Sequence, residues 1–187
     1  ILVSIFAAKD MMLSFESSLF YFRIGVFSCL IWYVLEQNTK ILNYFYYALV
    51  ISFLVLIIDG YIQFFTGTNI LGFPKAGYRI SSFFGDELIM GSYLSRLFPL
   101  MFALFVIKEK KNIYESYSVG IVFILTDILI YISGERAAFV LFNISTIFII
   151  FLIKEYQKFR LVTFMVALFF IGSITYFDDD VRKRMLH

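Results

Sequence analysis

Arginine is the residue type in this chain whose placement points to chemistry. Arg136 stands in the short turn Ser133-Gly134-Glu135-Arg136, between an apolar run, Tyr117–Ile132, whose one charge is Asp127, and another, Ala137–Ile153, that has none. Arg79 opens Arg79-Ile80-Ser81-Ser82-Phe83-Phe84-Gly85-Asp86-Glu87, inside the longest polar stretch. A guanidinium offers five N–H donors in a rigid planar fork, a geometry that matches phosphate and carboxylate oxygens. Glycine at Gly134 lets the turn close. Two helices joined by so short a turn would hold Arg136 at one membrane surface, where it and Arg79 could receive an anion.

The elements that must position these arginines are membrane helices. The chain has 187 residues, 61% hydrophobic and 16% charged, whereas soluble domains carry about 25% charged residues. Six runs approach or reach the roughly 17–25 residues needed to cross a bilayer: 17–35, 41–58, 88–107, 117–132, 137–153 and 161–177. Each is expected to be helical, because a backbone polar group left unpaired in lipid costs several kcal/mol. The expectation is an all-α, polytopic membrane helix bundle, one domain over 1–187, with an outer loop at 59–87. Ile1–Ala8 reads as a seventh, truncated helix, and the chain as a fragment.

Alternation of the spans puts Glu36–Lys40, Lys108–Asn112 and Lys154–Arg160 on one face. The outer loop, the Arg136 turn and the tail from Asp178 fall on the other. Lysine and arginine divide evenly between the faces, so the positive-inside tendency does not orient the chain by count. The tighter clusters, Lys108/Lys110/Lys111 and Lys154/Lys158/Arg160, place the first face in the cytoplasm and the arginine motifs outside.

Three charges fall within spans: Arg23, Arg96 and Asp127. At about 1.5 Å per residue they lie about 9–12 Å below the arginine face. Charges at that depth usually meet a cavity or a partner, so a polar cavity opening to that face is expected. Snorkelling is the alternative for Arg23, and neutralising a neighbouring arginine the alternative for Asp127.

Other chemistries find few residues. Nucleotide-binding glycine motifs and H-E-x-x-H are absent, and the one histidine, His187, is terminal, so no metal site is expected. A net charge of +2 without a basic stripe argues against nucleic acid. The lone Cys29 forms no disulfide framework.

The ordered motifs resemble those of O-antigen ligases and O-antigen polymerases. Tyr61-Ile62-Gln63 with Thr66-Gly67 looks like the start of that family's long outer loop. Arg79–Glu87, then Gly91-Ser92-Tyr93-Leu94 and Pro99, is similar to its R-x-S-G-T-F, G-x-Y-L and P pattern. Ser133-Gly134-Glu135-Arg136-Ala137-Ala138 resembles its T-G-S-R-G-A turn. Ser82 departs from the pattern's Gly, Asp86-Glu87 from Asn-Pro-Asn, and Glu135 from Ser.

The resemblance implies transfer of a glycan from a polyprenyl-diphosphate carrier to a lipid or glycan acceptor, outside the bacterial inner membrane, with no nucleotide, metal or other cofactor. It implies that Arg79 and Arg136 bind the diphosphate, with Arg96 as a deeper helper. Asp86 and Glu87 would orient an acceptor hydroxyl or neutralise Arg79, and Gln63 would meet sugar hydroxyls or interfacial water. Tyr61, Tyr78 and Tyr93 would stack on sugars or anchor the helices in the aromatic belt. The catalytic base is unassigned, since ligases carry an essential histidine in a later loop, expected beyond His187. Ligase and polymerase remain undivided, and a solute transporter or a non-catalytic envelope scaffold are the alternatives.

Overall fold

Backbone economy in an apolar chain dictates the architecture. The computed structural model describes residues 11–77, 79–108, 113–178, 181, 182 and 185, and every extended element among them is a helix. In chain order these are α1 (Met11–Gln37), α2 (Lys40–Thr66), α3 (Met90–Ile107), α4 (Ile113–Ile132), α5 (Arg136–Leu152) and α6 (Gln157–Phe177). Single 3-10 turns occur at Ser82–Phe84 and Lys154–Tyr156. The expected helix at Ile1–Ala8, and with it Tyr78, Lys110, Lys111 and His187, lies outside the described residues.

Four helical stretches among the described residues are long and apolar enough to cross a membrane: Lys40–Thr66, Met90–Ile107, Tyr114–Ile132 and Lys154–Phe177. α5 is apolar but has only 17 residues, about 25 Å of helix. This is a helical membrane protein.

The chain divides into two units, 1–45 and 46–187. The first holds α1 and the opening turn of α2. There the Asn38 side chain accepts the Lys40 amide at 3.0 Å, satisfying one of the donors a helix start leaves open. Arg23, on α1, is exposed and stacks over the Phe20 ring at 3.4 Å.

In the second unit α4 packs chiefly on α6, and α3 chiefly on α5. The core between them is aromatic. Phe98 meets Phe123 and Phe142 edge-on at 5.0 and 4.9 Å, and Phe102, Phe105 and Phe159 extend the cluster. Such pairs add about 0.5–1.5 kcal/mol each beyond the area they bury. Gly60 lets α2 approach this core: a Cβ there would stand 2.9 Å from Leu129 of α4. Outward positions are large and apolar, Val55, Ile58, Ile121, Val140 and Phe169 among them, as a lipid-facing surface requires.

Two expectations are corrected. The outer loop does not begin at residue 59: α2 continues to Thr66 and α3 begins at Met90, so the connection spans 67–89. Asp59 and Gln63 read as loop residues because they are polar, but both are buried in the helix. Arg160, assigned to a basic cluster at the membrane surface, is instead wholly buried in α6.

Candidate functional site

The end of the bundle where α2 and α4 finish and α3 and α5 begin carries both arginine motifs. The 67–89 connection is folded onto α2 by buried polar side chains, among them the candidate sugar binder Gln63. Gln63 Oε1 accepts the amides of Ser81 (3.0 Å) and Ser82 (2.7 Å), and its Nε2 donates to the carbonyls of Phe73 and Pro74. Asp59, also buried, accepts the Ile70 amide at 2.9 Å and the Ser82 hydroxyl at 2.5 Å. Asn69 Nδ2 donates to the Ser82 carbonyl at 2.9 Å. Gln63 is therefore a latch for the loop, committed on both its oxygen and its nitrogen.

Ser82, at the centre of these bonds, has φ +52°, a conformation that is uncommon for any residue but glycine. It stands where the resembled pattern has Gly. Three hydrogen bonds hold it there, which is how such strain persists.

The hairpin turn is tied to the same end. Gly134, at φ +79°, closes α4 with its amide on the Tyr131 carbonyl, a left-handed residue after a helix end that favours glycine. Glu135 then reaches across to the start of α3. Its Oε1 accepts the Gly91 amide at 2.6 Å, and its Oε2 accepts the Ser92 amide at 3.0 Å and the Ser92 hydroxyl at 2.5 Å. Helix starts leave amides unpaired and carry partial positive charge, so this carboxylate fills, from within the chain, the anion site at the start of α3. Gly91 is required for the approach: a Cβ there would meet Ser133 Oγ at 2.5 Å and Glu135 Oε1 at 3.0 Å.

Arg136 follows directly as the first residue of α5 and is exposed. Arg79 is exposed in the loop, and its backbone pairs with Ala76. Asp86 and Glu87 are exposed as well, and among the described residues neither forms an ion pair with Arg79. The Phe84 ring lies against Tyr93 of α3 at 5.5 Å, joining the far end of the loop to the helix that Glu135 caps. Tyr61 donates to the Leu125 carbonyl of α4 at 3.0 Å, so its hydroxyl is occupied in helix packing. No family model, curated protein or solved structure matches this chain.

Arg96 is exposed on α3, on the same side as Leu100 and Ile107. Asp127 faces the other way, into the bundle, and its partner is Arg160. Arg96 and Asp127 are therefore not brought together in a shared cavity, and Asp127 is closed on Arg160 instead.

That arginine is the polar centre the sequence reading misses. Its Nη1 and Nη2 donate to the two oxygens of Asp127 at 2.9 and 3.1 Å, an end-on fork. Nη2 also reaches Thr146 Oγ1 of α5 at 2.8 Å, and Nη1 reaches Thr163 Oγ1 at 3.4 Å. Phe98, Phe123, Phe142 and Phe164, one from each of α3 to α6, stand with ring centroids 4.6–5.8 Å from the guanidinium carbon. Nε alone has no hydrogen-bond partner. A visible signal was the stripe Arg160, Thr163, Ala167, Ile171, the buried face of α6 at helical spacing.

At the opposite end Lys108 closes α3. Its ammonium donates to Tyr47 at 2.7 Å and to Glu115 of α4. Burial pulls its pKa down, but the bonds to Glu115 and Tyr47 outweigh this and hold it above the ordinary lysine value.

Proposed function

We propose that this chain is a bacterial envelope glycosyltransferase of the O-antigen ligase or polymerase kind. It takes glycan from a polyprenyl-diphosphate carrier at the periplasmic face of the inner membrane, and α1 and α5 complete six spans with the four longer helices. The observation that carries the reading is the common address of its two arginine motifs. The loop bearing Arg79 is latched to α2 and α3, and the turn bearing Arg136 is fastened to the start of α3 by Glu135. Both arginines are exposed at that end.

Departure of a polyprenyl diphosphate concentrates negative charge on the leaving oxygens, and preorganised cationic donors lower the barrier to that separation. Guanidinium groups do this with paired, charge-assisted hydrogen bonds. Arg79 and Arg136 take this role, with Asp86 and Glu87 facing the acceptor. Gln63 has no part in binding sugar, since its amide is spent on the loop. Arg96, outward on α3, would serve the carrier only where the polyprenyl chain runs along that helix. A solute transporter is the weaker reading, because the charges that would line a path, Asp127 and Arg160, are closed on each other.

Two measurements test this. Purified protein should bind a polyprenyl-diphosphate-linked glycan, and Arg79→Ala or Arg136→Ala should each weaken binding about tenfold or more, as loss of a charge-assisted contact implies. Arg136→Lys should recover only part of the loss, since lysine keeps the charge but not the fork. Equal affinity across these variants would remove the diphosphate reading. In a Cys29→Ala background, cysteine at the exposed Thr68 should react with an impermeant thiol reagent from the periplasm, and cysteine at the exposed Lys154 should not. The reverse pattern would put the arginine face in the cytoplasm.

A further inference from the structure

The outer loop leaves the bundle and comes back down beside it. α2 runs to Thr66, eight residues beyond the apolar stretch that ends at Ile58, a rise of about 12 Å. The chain then reverses, and the Ile70 amide bonds to Asp59, seven residues or about 10 Å below the helix end. The turn at 69–73 thus returns to the level of Asp59, the first charge after the apolar run that ends at Ile58.

This turn is rigid. The Asn69 amide donates to the Phe73 carbonyl, the Gly72 amide to the Asn69 carbonyl, and the Phe73 amide to Asn69 Oδ1, all at 2.8–2.9 Å. Asn69 is 4% exposed and pinned to Ser82. Yet the turn presents Ile70, Leu71 and Phe73 outward, at 59, 64 and 47% exposure. Its Ile70 amide is held on Asp59, the residue after the outward Ile58 of α2.

We infer that the turn 69–73 is a membrane anchor, whose Ile70, Leu71 and Phe73 side chains enter the leaflet on the arginine face at the boundary of headgroups and acyl chains. Three features select lipid as the occupant. The patch is apolar like the outward positions of α2, and the turn is hydrogen-bonded to that helix at Asp59, next to the outward Ile58. The amides of Asn69, Ile70, Gly72 and Phe73 are all bonded within the chain, so lowering the turn into the interface strips few backbone donors of water. Apolar side chains at this boundary bind with a strength that follows the area buried. The inference rests on membrane insertion and is independent of the donor chemistry.

The single tryptophan, Trp32, makes a direct test available. The full chain carrying Trp32→Phe and Leu71→Trp is reconstituted into phosphatidylethanolamine and phosphatidylglycerol vesicles, with or without bromine atoms near the top of the acyl chains. Bromolipid should cut the fluorescence several-fold, and aqueous iodide should change it little. Strong iodide quenching without a bromolipid effect would place the turn in water and overturn the inference. Insensitivity to both would do so as well, by showing the turn covered by protein, either a second copy or another partner. Should Leu71→Trp fail to give monodisperse helical protein, Phe73→Trp in the same background carries the same test.

Discussion

Arg160 and Arg79 are the same side chain put to opposite uses. Arg160 is sealed among four phenylalanines, with four of its donor contacts spent on Asp127, Thr146 and Thr163. Arg79 lies on a rigid loop at the end of the bundle and is exposed. The first joins helices α4, α5 and α6 and is closed off from any ligand by its burial. The second contributes nothing visible to packing and keeps its fork for whatever arrives. In this chain burial marks an arginine as architecture, and exposure beside a latched backbone marks a candidate for binding.

The buried pair should be the most sensitive point in the bundle. Asp127→Ala or Arg160→Ala leaves a lone charge among apolar side chains, which costs about 3–5 kcal/mol. The double variant Asp127→Leu/Arg160→Met should be considerably more stable than either single one, because replacing a whole buried pair with apolar groups is often neutral or better. Unfolding in mixed detergent micelles measures both, and equal destabilisation by single and double changes would refute the pair as described.

The connection at the start of α3 should show a smaller effect. Glu135→Ala removes the cap and should cost about 0.5–2 kcal/mol. Gly91→Ala drives a methyl against Ser133 and Glu135, so the two changes should not add, since both strike one contact. Additive losses in the same unfolding assay would show that Gly91 and Glu135 act separately.

At the far end the Lys108–Glu115 contact gives a pH signature. A lysine held above its ordinary value adds stability that is complete below the unfolded value, about pH 10.4, and lost as pH rises through the folded one. Glu115→Gln should therefore narrow the stability difference between neutral and strongly alkaline pH. An unchanged alkaline profile would count against the contact. Least of all should change with Arg79→Ala or Arg96→Ala, exposed substitutions expected within about 0.5 kcal/mol of the parent. A large stability loss from either would erase the distinction between the two uses of arginine.

Much of the helical framework was legible because apolar runs in lipid have one economical backbone solution. The turn at Ser133–Arg136 was legible for the same reason, being the short polar break between two such runs. The start of the outer loop was not, because Asp59 and Gln63 look like surface residues until the partners that occupy them are known. Those partners, Ile70 and Ser82, lie 11 and 23 residues from Asp59. Arg160 was missed for a similar reason. In the sequence it stands beside Lys154 and Lys158, but its burial is decided by Asp127, 33 residues earlier, and by rings from four helices. Polar residue type predicts exposure only where no distant partner answers it.

The Glu135 cap has a consequence for biosynthesis. When α3 enters the membrane its first amides have no partner, and the carboxylate that completes them is 44 residues away in a turn not yet made. Asp127 likewise arrives before Arg160, which emerges 33 residues later. Each of these contacts forms only once the later segment has emerged. The α4–α5 turn and α6 thereby complete contacts that α3 and α4 leave open when they first emerge.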